Sequence, residues 1–456
     1  MVRAGRREGG RGLDWRWLDG LRRRKGLDAV GVTAGRDASD ARVAGGRMRL
    51  PRELRTFWAV SLAVFALAFV VGWLKWHAGE SRYNWDPLSD PLFGDLMEYP
   101  GTYTLLHSAA FFFNVAGKPW AYPMYSPVAY PPFAAVVMAP MYAFPIPVLA
   151  FLIVAGMWLL ALVAWASRAL IRAGIGAATV ILLPLTLVAI SFPIERLVHQ
   201  GNIELVLWIF AACGVWAFWH GHDDAAAVLW GLAAAMKLFP LVLLILLLPR
   251  RKWRAVGVGV GTFVGATLLS LWWLGPTVGV AWRGSMKNVF GYQGVRVSEW
   301  TLRELVANHS LIEPAKLVAM IARFPLDRLM LPYYVGGAVV LAVAFFGKLR
   351  KMPVANQLLA VSTFMVMFPP ISYYHALVHM YAPLAVLAWV AISAERAGVR
   401  VRGLRGTMLL FVPLFAPFTV LTFPGAMVFC GMVQAMVLVV LFLCSLEFPF
   451  AVEVAG

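Results

Sequence analysis

Four of this chain's scarce acids, Asp86, Asp90, Asp95 and Glu98, fall within one proline-rich and aromatic segment, residues 77–132. The segment lies between a first hydrophobic stretch, 57–76, and the next, which starts near Phe133. Carboxylates gathered in a long polar loop of an otherwise apolar chain mark where water-side chemistry would be built. They suggest a membrane enzyme working at the outer surface.

Other candidates sit among the apolar stretches. Lys237, in GLAAAMKLFP, is flanked by small residues and followed by Pro240. A charge there is costly unless it faces a cavity or a partner. Such a lysine binds a lipid-linked phosphate as a point charge or neutralises a neighbouring acid, and the phosphate role is the expectation. His375 and His379 follow Pro369 and Pro370 and are spaced by four, on one face of a helix near its outer end. A pair without a carboxylate is weak ground for zinc. Hydrogen bonding to an anionic or sugar ligand is preferred, with a structural role as the alternative. His199, Gln200, Asn202 and Glu204 crowd the head of an apolar segment and read as an interhelical clasp on the cytoplasmic side. Asn308, His309 and Ser310 close a second polar loop that would cover the site in the first.

The elements that must carry these residues are transmembrane helices. With 61% hydrophobic residues, 14% charged and a mean hydropathy of +0.73, the chain lies far from soluble composition. The expected fold class is all-α, a polytopic membrane protein; β-barrel spans would alternate polar and apolar residues, and these do not. Cys213, Cys430 and Cys444 all fall in apolar runs and read as packing residues. The net charge of +17 reports sidedness, with no nucleic-acid partner implied.

Apolar runs are expected to span at 57–76, 133–146, 147–167, 175–193, 203–220, 225–248, 255–275, 331–347, 354–372, 375–393, 407–423 and 425–446, about twelve helices with both termini inside. Alternate counting places four basic clusters in the cytoplasm: Arg47 to Arg55, Arg250 to Arg254, Lys348 to Lys351, and Arg396 to Arg405. It leaves Arg168 and Arg172 facing outward, against the trend. Residues 1–47 lack an apolar period and read as a disordered basic tail, with Met48 a plausible start.

The order of these strings resembles glycosyltransferase family 87 of the GT-C superfamily, which includes polyprenol-phosphate-mannose-dependent mannosyltransferases. The resemblance rests on Asp95 and Tyr99 in GDLMEY, on Tyr130-Pro131-Pro132, on Gln200-Gly201-Asn202, on Gly231 to Pro240, on NHSL at 308–311 and on Ser372 with His375 in SYYHALVH. Departures are the QGN order in place of GQxN, His309 in place of Gln, and Ala376 in place of a second adjacent His.

What the resemblance implies is an inverting transfer from a polyprenyl-phosphate sugar, mannose being the expected hexose, to a glycolipid or polysaccharide hydroxyl, with membrane lipid around the protein. A first-loop carboxylate would be the general base. Asp95 is the expected one, because Asp86 and Asp90 precede prolines and have a turn reading. His375 and Lys237 would meet the leaving phosphate, with Tyr99, His379 and Asn308 as further donor-binding candidates. Neither cofactor nor metal is implied. Divided accordingly, the chain has a tail at 1–50, a GT-C-like core at 51–275 with the catalytic first outer loop at 77–132, a second outer loop at 276–330 and C-terminal membrane helices at 331–456. The expected location is the cell membrane, with the site on the extracytoplasmic side. The rival class is a secondary transporter or lipid flippase.

Overall fold

A computed structural model describes residues 49–77, 130–142, 144–274, 277–286, 308–325, 328–417 and 426–451. The basic tail, and with it Asp86, Asp90, Asp95, Glu98, Tyr99, Trp120 and Tyr122 of the first loop, lies outside the described residues. Among those described the chain is helical, without a strand. The order is α1 (Arg52–His77), α2 (Pro132–Tyr142), α3 (Pro147–Arg172), α4 (Ala177–Ala189), α5 (Phe192–Gln200), α6 (Glu204–Trp219) and α7 (Asp223–Met236). A 3-10 helix (Phe239–Leu247) leads to α8 (Trp253–Leu274), α9 (Ile312–Ile321), α10 (Met330–Gly347) and α11 (Val354–Met367). A second 3-10 segment (Tyr374–Met380) runs into α12 (Tyr381–Ala397), followed by α13 (Leu404–Leu409), α14 (Val412–Phe415) and α15 (Ala426–Glu447).

Six helical segments among the described residues are long and apolar enough to cross a bilayer: those of α1, α3, α8, α10, α12 with its 3-10 lead-in, and α15. The bent pair α4 and α5 makes a seventh if taken as one span. The segment Tyr374–Ala397 is central, 61% of its most apolar window being buried, against 11% for α3 and α10. The outer helices turn large apolar side chains outward, such as Leu67 and Phe69 of α1, Met157 and Leu160 of α3, and Leu331 and Val343 of α10, as a lipid-facing surface requires.

The other expected spans are shorter or broken. α7 is 14 residues, roughly 21 Å at the helical rise, too short for a hydrocarbon core of about 30 Å. It ends at Met236 because Pro240 has no N–H to give the Met236 carbonyl and its ring crowds that oxygen. The chain then doubles back. Arg250 and Lys252, beyond the 3-10 helix, both pair with Asp223 at the start of α7, at 3.2 and 3.0 Å. Arg251 between them takes a left-handed conformation, φ 55°, that turns the chain at this point. Segment 225–248 is therefore a hairpin within the bundle and not one crossing.

The small residues of α7 serve this packing. A Cβ on Gly231 would meet the Gly259 carbonyl of α8 at 2.5 Å, and one on Gly259 would meet Leu244 of the returning 3-10 helix at 2.6 Å. Helices without bulky side chains at the seam approach to backbone contact. On its other side α7 lies antiparallel to α6, where Trp230 Nε1 donates to Ala211 O at 3.3 Å and fills the space over Gly214.

Basic loops and polar motifs separate along the helices. Asn356, near the start of α11, donates to Ser445 O and Phe448 O at 2.7 and 2.6 Å, and Lys348 lies 3.4 Å from Glu447. Arg396 at the end of α12 donates to Arg172 O at 2.8 Å, so Arg172 joins the basic end and does not face away from it, as alternate counting had it. The other ends of α11, α12, α6 and α7 carry Met367, Met380, Glu204 and Met236, where the polar motifs assemble. Counting had put residues 199–204 and 375–379 on opposite faces of the membrane; direct contacts put them together.

Candidate active site

Three breaks in helical geometry bring the polar motifs to one point. α4 gives way to α5 through a 57° bend. Ser191 caps α5 by accepting from Ile194 N at 3.3 Å, with Pro193 in the first turn. α5 ends at Gly201 in the left-handed region (φ 64°, ψ 36°), a conformation suited to glycine. Asn202 Oδ1 then accepts from Glu204 N at 2.8 Å and starts α6. The second break leaves Lys237 with an extended backbone (φ −159°, ψ 123°), out of the register of α7. The third is the 3-10 segment 374–380, which presents His375 and His379.

Glu204 is the hub. Its Oε2 accepts from Lys237 Nζ at 2.8 Å and its Oε1 from His379 Nε2 at 2.8 Å. The carboxylate is completely buried, whereas the Lys237 side chain keeps 21% of its surface exposed. A buried charge is tolerated when both oxygens find donors and one donor is a cation, and both conditions hold. The Lys237 ammonium also stands 5.0 Å from the Phe239 ring and 5.8 Å from that of Tyr130, the tyrosine of the Tyr-Pro-Pro string. Beside it His375 Nδ1 lies 3.3 Å from the Gln200 side-chain amide, which directs Nε2 the other way.

A second polar knot adjoins the first. Asn308 donates to Glu313 Oε1 at 2.7 Å and to Pro370 O at 2.9 Å, while its Oδ1 accepts from Ser310 N at 3.1 Å and Ser372 N at 2.9 Å. Both amide hydrogens and both lone pairs are thus engaged. His309 Nε2 meets Ser372 Oγ at 2.9 Å, and its ring lies 6.5 Å from that of Tyr374. Lys316 donates to Glu313 at 3.1 Å. Burial, with His375 and Lys237 nearby, pushes the His309 imidazole down to about 3. Burial raises the Glu313 carboxyl, opposed by Lys316 and Asn308.

Lys237, His375 and His379 thus come together as candidates, and Asn308 ties the neighbouring loop to the segment that precedes His375. Of the two roles weighed for Lys237, the pairing with an acid is the one seen, and part of the side chain stays exposed. Glu204, read as part of a cytoplasmic clasp, is the residue that sequence reasoning undervalued. The available signal was charge balance, since an embedded lysine in so apolar a chain needs an acid and Glu204 heads an adjacent apolar helix. Among the described residues no group of three or more His, Cys, Asp or Glu side chains could hold a metal.

Comparison with curated proteins finds no match, and neither does comparison with solved structures. The family model of glycosyltransferase family 87 matches residues 129–370, more than half of the 456. That region contains Tyr130, Gln200, Glu204, Lys237 and Asn308 and stops five residues before His375. The motif order, the all-helical membrane architecture and this match agree, and the chain belongs to glycosyltransferase family 87.

Proposed function

We propose that this membrane glycosyltransferase transfers a hexose, mannose being the sugar its family resemblance points to, from a polyprenyl-phosphate donor to a hydroxyl of a glycolipid or polysaccharide. The reaction takes place on the extracytoplasmic side of the cell membrane. The observation that carries this reading is the convergence of Lys237, His375, His379 and Glu204 at the end of the bundle remote from the basic loops, which the positive-inside rule assigns to the cytoplasm.

In the reaction Asp95 removes the acceptor hydroxyl proton as the oxygen attacks the anomeric carbon. The bond from that carbon to the phosphate oxygen breaks, and polyprenyl phosphate leaves with the electron pair. Attack from the face opposite the phosphate inverts the anomeric centre, and one carboxylate suffices because the phosphate is a stable anion. Lys237 meets the phosphate charge, and His375, in the tautomer with its proton on Nε2, donates a hydrogen bond to the phosphate. His379 supports them through Glu204, Asn308 anchors the adjoining loop, and Tyr99 contacts the sugar. Membership of a glycosyltransferase family weighs against the transporter or flippase reading.

The test is incubation of membranes containing the protein with radiolabelled polyprenyl-phosphate mannose and other lipid-linked sugars, followed by identification of the labelled product. Transfer is expected from a polyprenyl-phosphate sugar and should fall at least about a hundredfold in Asp95→Asn, which keeps the shape but loses the base. Transfer only from nucleotide sugars, or full activity of Asp95→Asn, refutes the reading.

A further inference from the structure

Glu204 is completely buried and offers no open face to a ligand. Its two oxygens face different elements, Lys237 at the break after α7 and His379 in the 3-10 segment, and its backbone N–H is held by Asn202. A carboxylate so placed acts through its neighbours. The groups that face Lys237 are Glu204 from α6, the rings of Tyr130 and Phe239, and, close by, His375 and His379 from the 3-10 segment and His309 from the loop before α9. Arg196 of α5 adds a further positive charge near His375. Glu204 is the one anion in that set. An amine removed from water favours its neutral form unless an opposite charge stands beside it.

From this arrangement we infer that Glu204 is a positioning residue for the transfer reaction: it keeps the Lys237 cation charged and aimed before a donor arrives, so that binding the donor phosphate requires no proton uptake. The inference rests on the donor reading above. It assigns the pair a functional order, in which Glu204 sets the state of Lys237 and Lys237 touches the phosphate. The open fifth of the lysine side chain is the face left for the ligand.

The experiment uses the full chain in lipid nanodiscs and reads the Lys237 amine directly. Acetylation of Lys237 by acetic anhydride is followed across a pH series by mass spectrometry, in wild type and in Glu204→Gln. The neutral amine alone reacts, so the variant should label about tenfold faster or more near neutral pH, with its profile displaced downward by about one unit or more. An unchanged profile overturns the inference. Should Glu204→Gln fail to fold, the double variant Glu204→Gln with Lys237→Met removes the stranded cation and should fold; failure of the double as well overturns the inference.

Donor kinetics form the second arm. With polyprenyl-phosphate mannose, the donor KM of Glu204→Gln should rise about tenfold per pH unit above neutrality at constant kcat, since one proton is taken up on binding, while wild type stays flat. A displaced labelling profile with a pH-independent KM would remove Lys237 from the donor site and defeat the proposed function, leaving the Glu204 pairing intact.

Discussion

Arg250, three residues beyond the 3-10 helix Phe239–Leu247, donates from Nη1 to Asp223, the first residue of α7, at 3.2 Å and to Phe218 O at 3.1 Å, with its guanidinium 3.7 Å from the centre of the Phe218 ring. Asp223 and Arg250, which flank the segment 225–248 that hydropathy reads as one crossing, therefore share one end of the bundle. Lys237 is carried to the turn of the hairpin. The arrangement carries a cation to the far end of the hairpin while both ends of the hairpin stay with the basic loops.

Sidedness follows from that contact. Single cysteines at His222 and Arg254, introduced into a cysteine-free background, should react with a membrane-impermeant maleimide from the same side of sealed vesicles. Labelling from opposite sides would restore a crossing at 225–248 and break the hairpin.

In the proposed reaction donor recognition is divided between two side chains. Lys237→Met and His375→Ala should each raise the donor KM about tenfold or more, the scale of a charge-assisted hydrogen bond, with a smaller effect on acceptor KM. Initial-rate kinetics over both substrates will read this. An unchanged donor KM in both variants removes them from the phosphate site.

Close packing of α7 on α8 makes a paired prediction about glycines. Gly231→Ala puts a methyl 2.5 Å from the Gly259 carbonyl and should destabilise the protein by about 1–3 kcal/mol, the usual cost of overpacking. Gly257→Ala meets nothing within 4 Å and should leave the unfolding temperature in detergent unchanged or higher. Equal behaviour of the two variants would contradict the seam.

His309 predicts a pH dependence. Its imidazole is held neutral by burial, so the unfolded chain binds a proton that the folded one refuses as the pH drops below the ordinary value of 6.5. Its contribution to stability is present above that value and is lost progressively down to about 3. His309→Gln, which keeps a polar partner for Ser372, should remove this part of the acid sensitivity and retain activity. Thermal unfolding of both proteins through that window tests it, and parallel curves would sink it.

Part of the candidate site was legible before the structure. Lys237, His375 and His379 stood out because polar groups among apolar helices need partners, and Pro240 marked the break that exposes Lys237. Glu204 was visible but put on the face opposite the histidine it meets. The error came from counting crossings, because a hydropathy window records how apolar a segment is and not which way the chain leaves it. Counting the 11-residue α2 as one crossing set 168–172 and 199–204 opposite the residues they contact, and counting the returning segment 225–248 as one crossing cancelled that slip for the loops that follow.

By itself the amino-acid sequence determined the class, a helical membrane protein, since composition sets which solvent the surface can face. It also determined the family, through short strings whose order survives, and the break after Lys237, because proline denies the helix an N–H and crowds the preceding turn. Only the tertiary structure decided which charge answers which. Glu204 meets Lys237 across 33 residues and His379 across 175, and such pairings are chosen by packing of distant helices in a medium where an unpaired charge is too costly to keep.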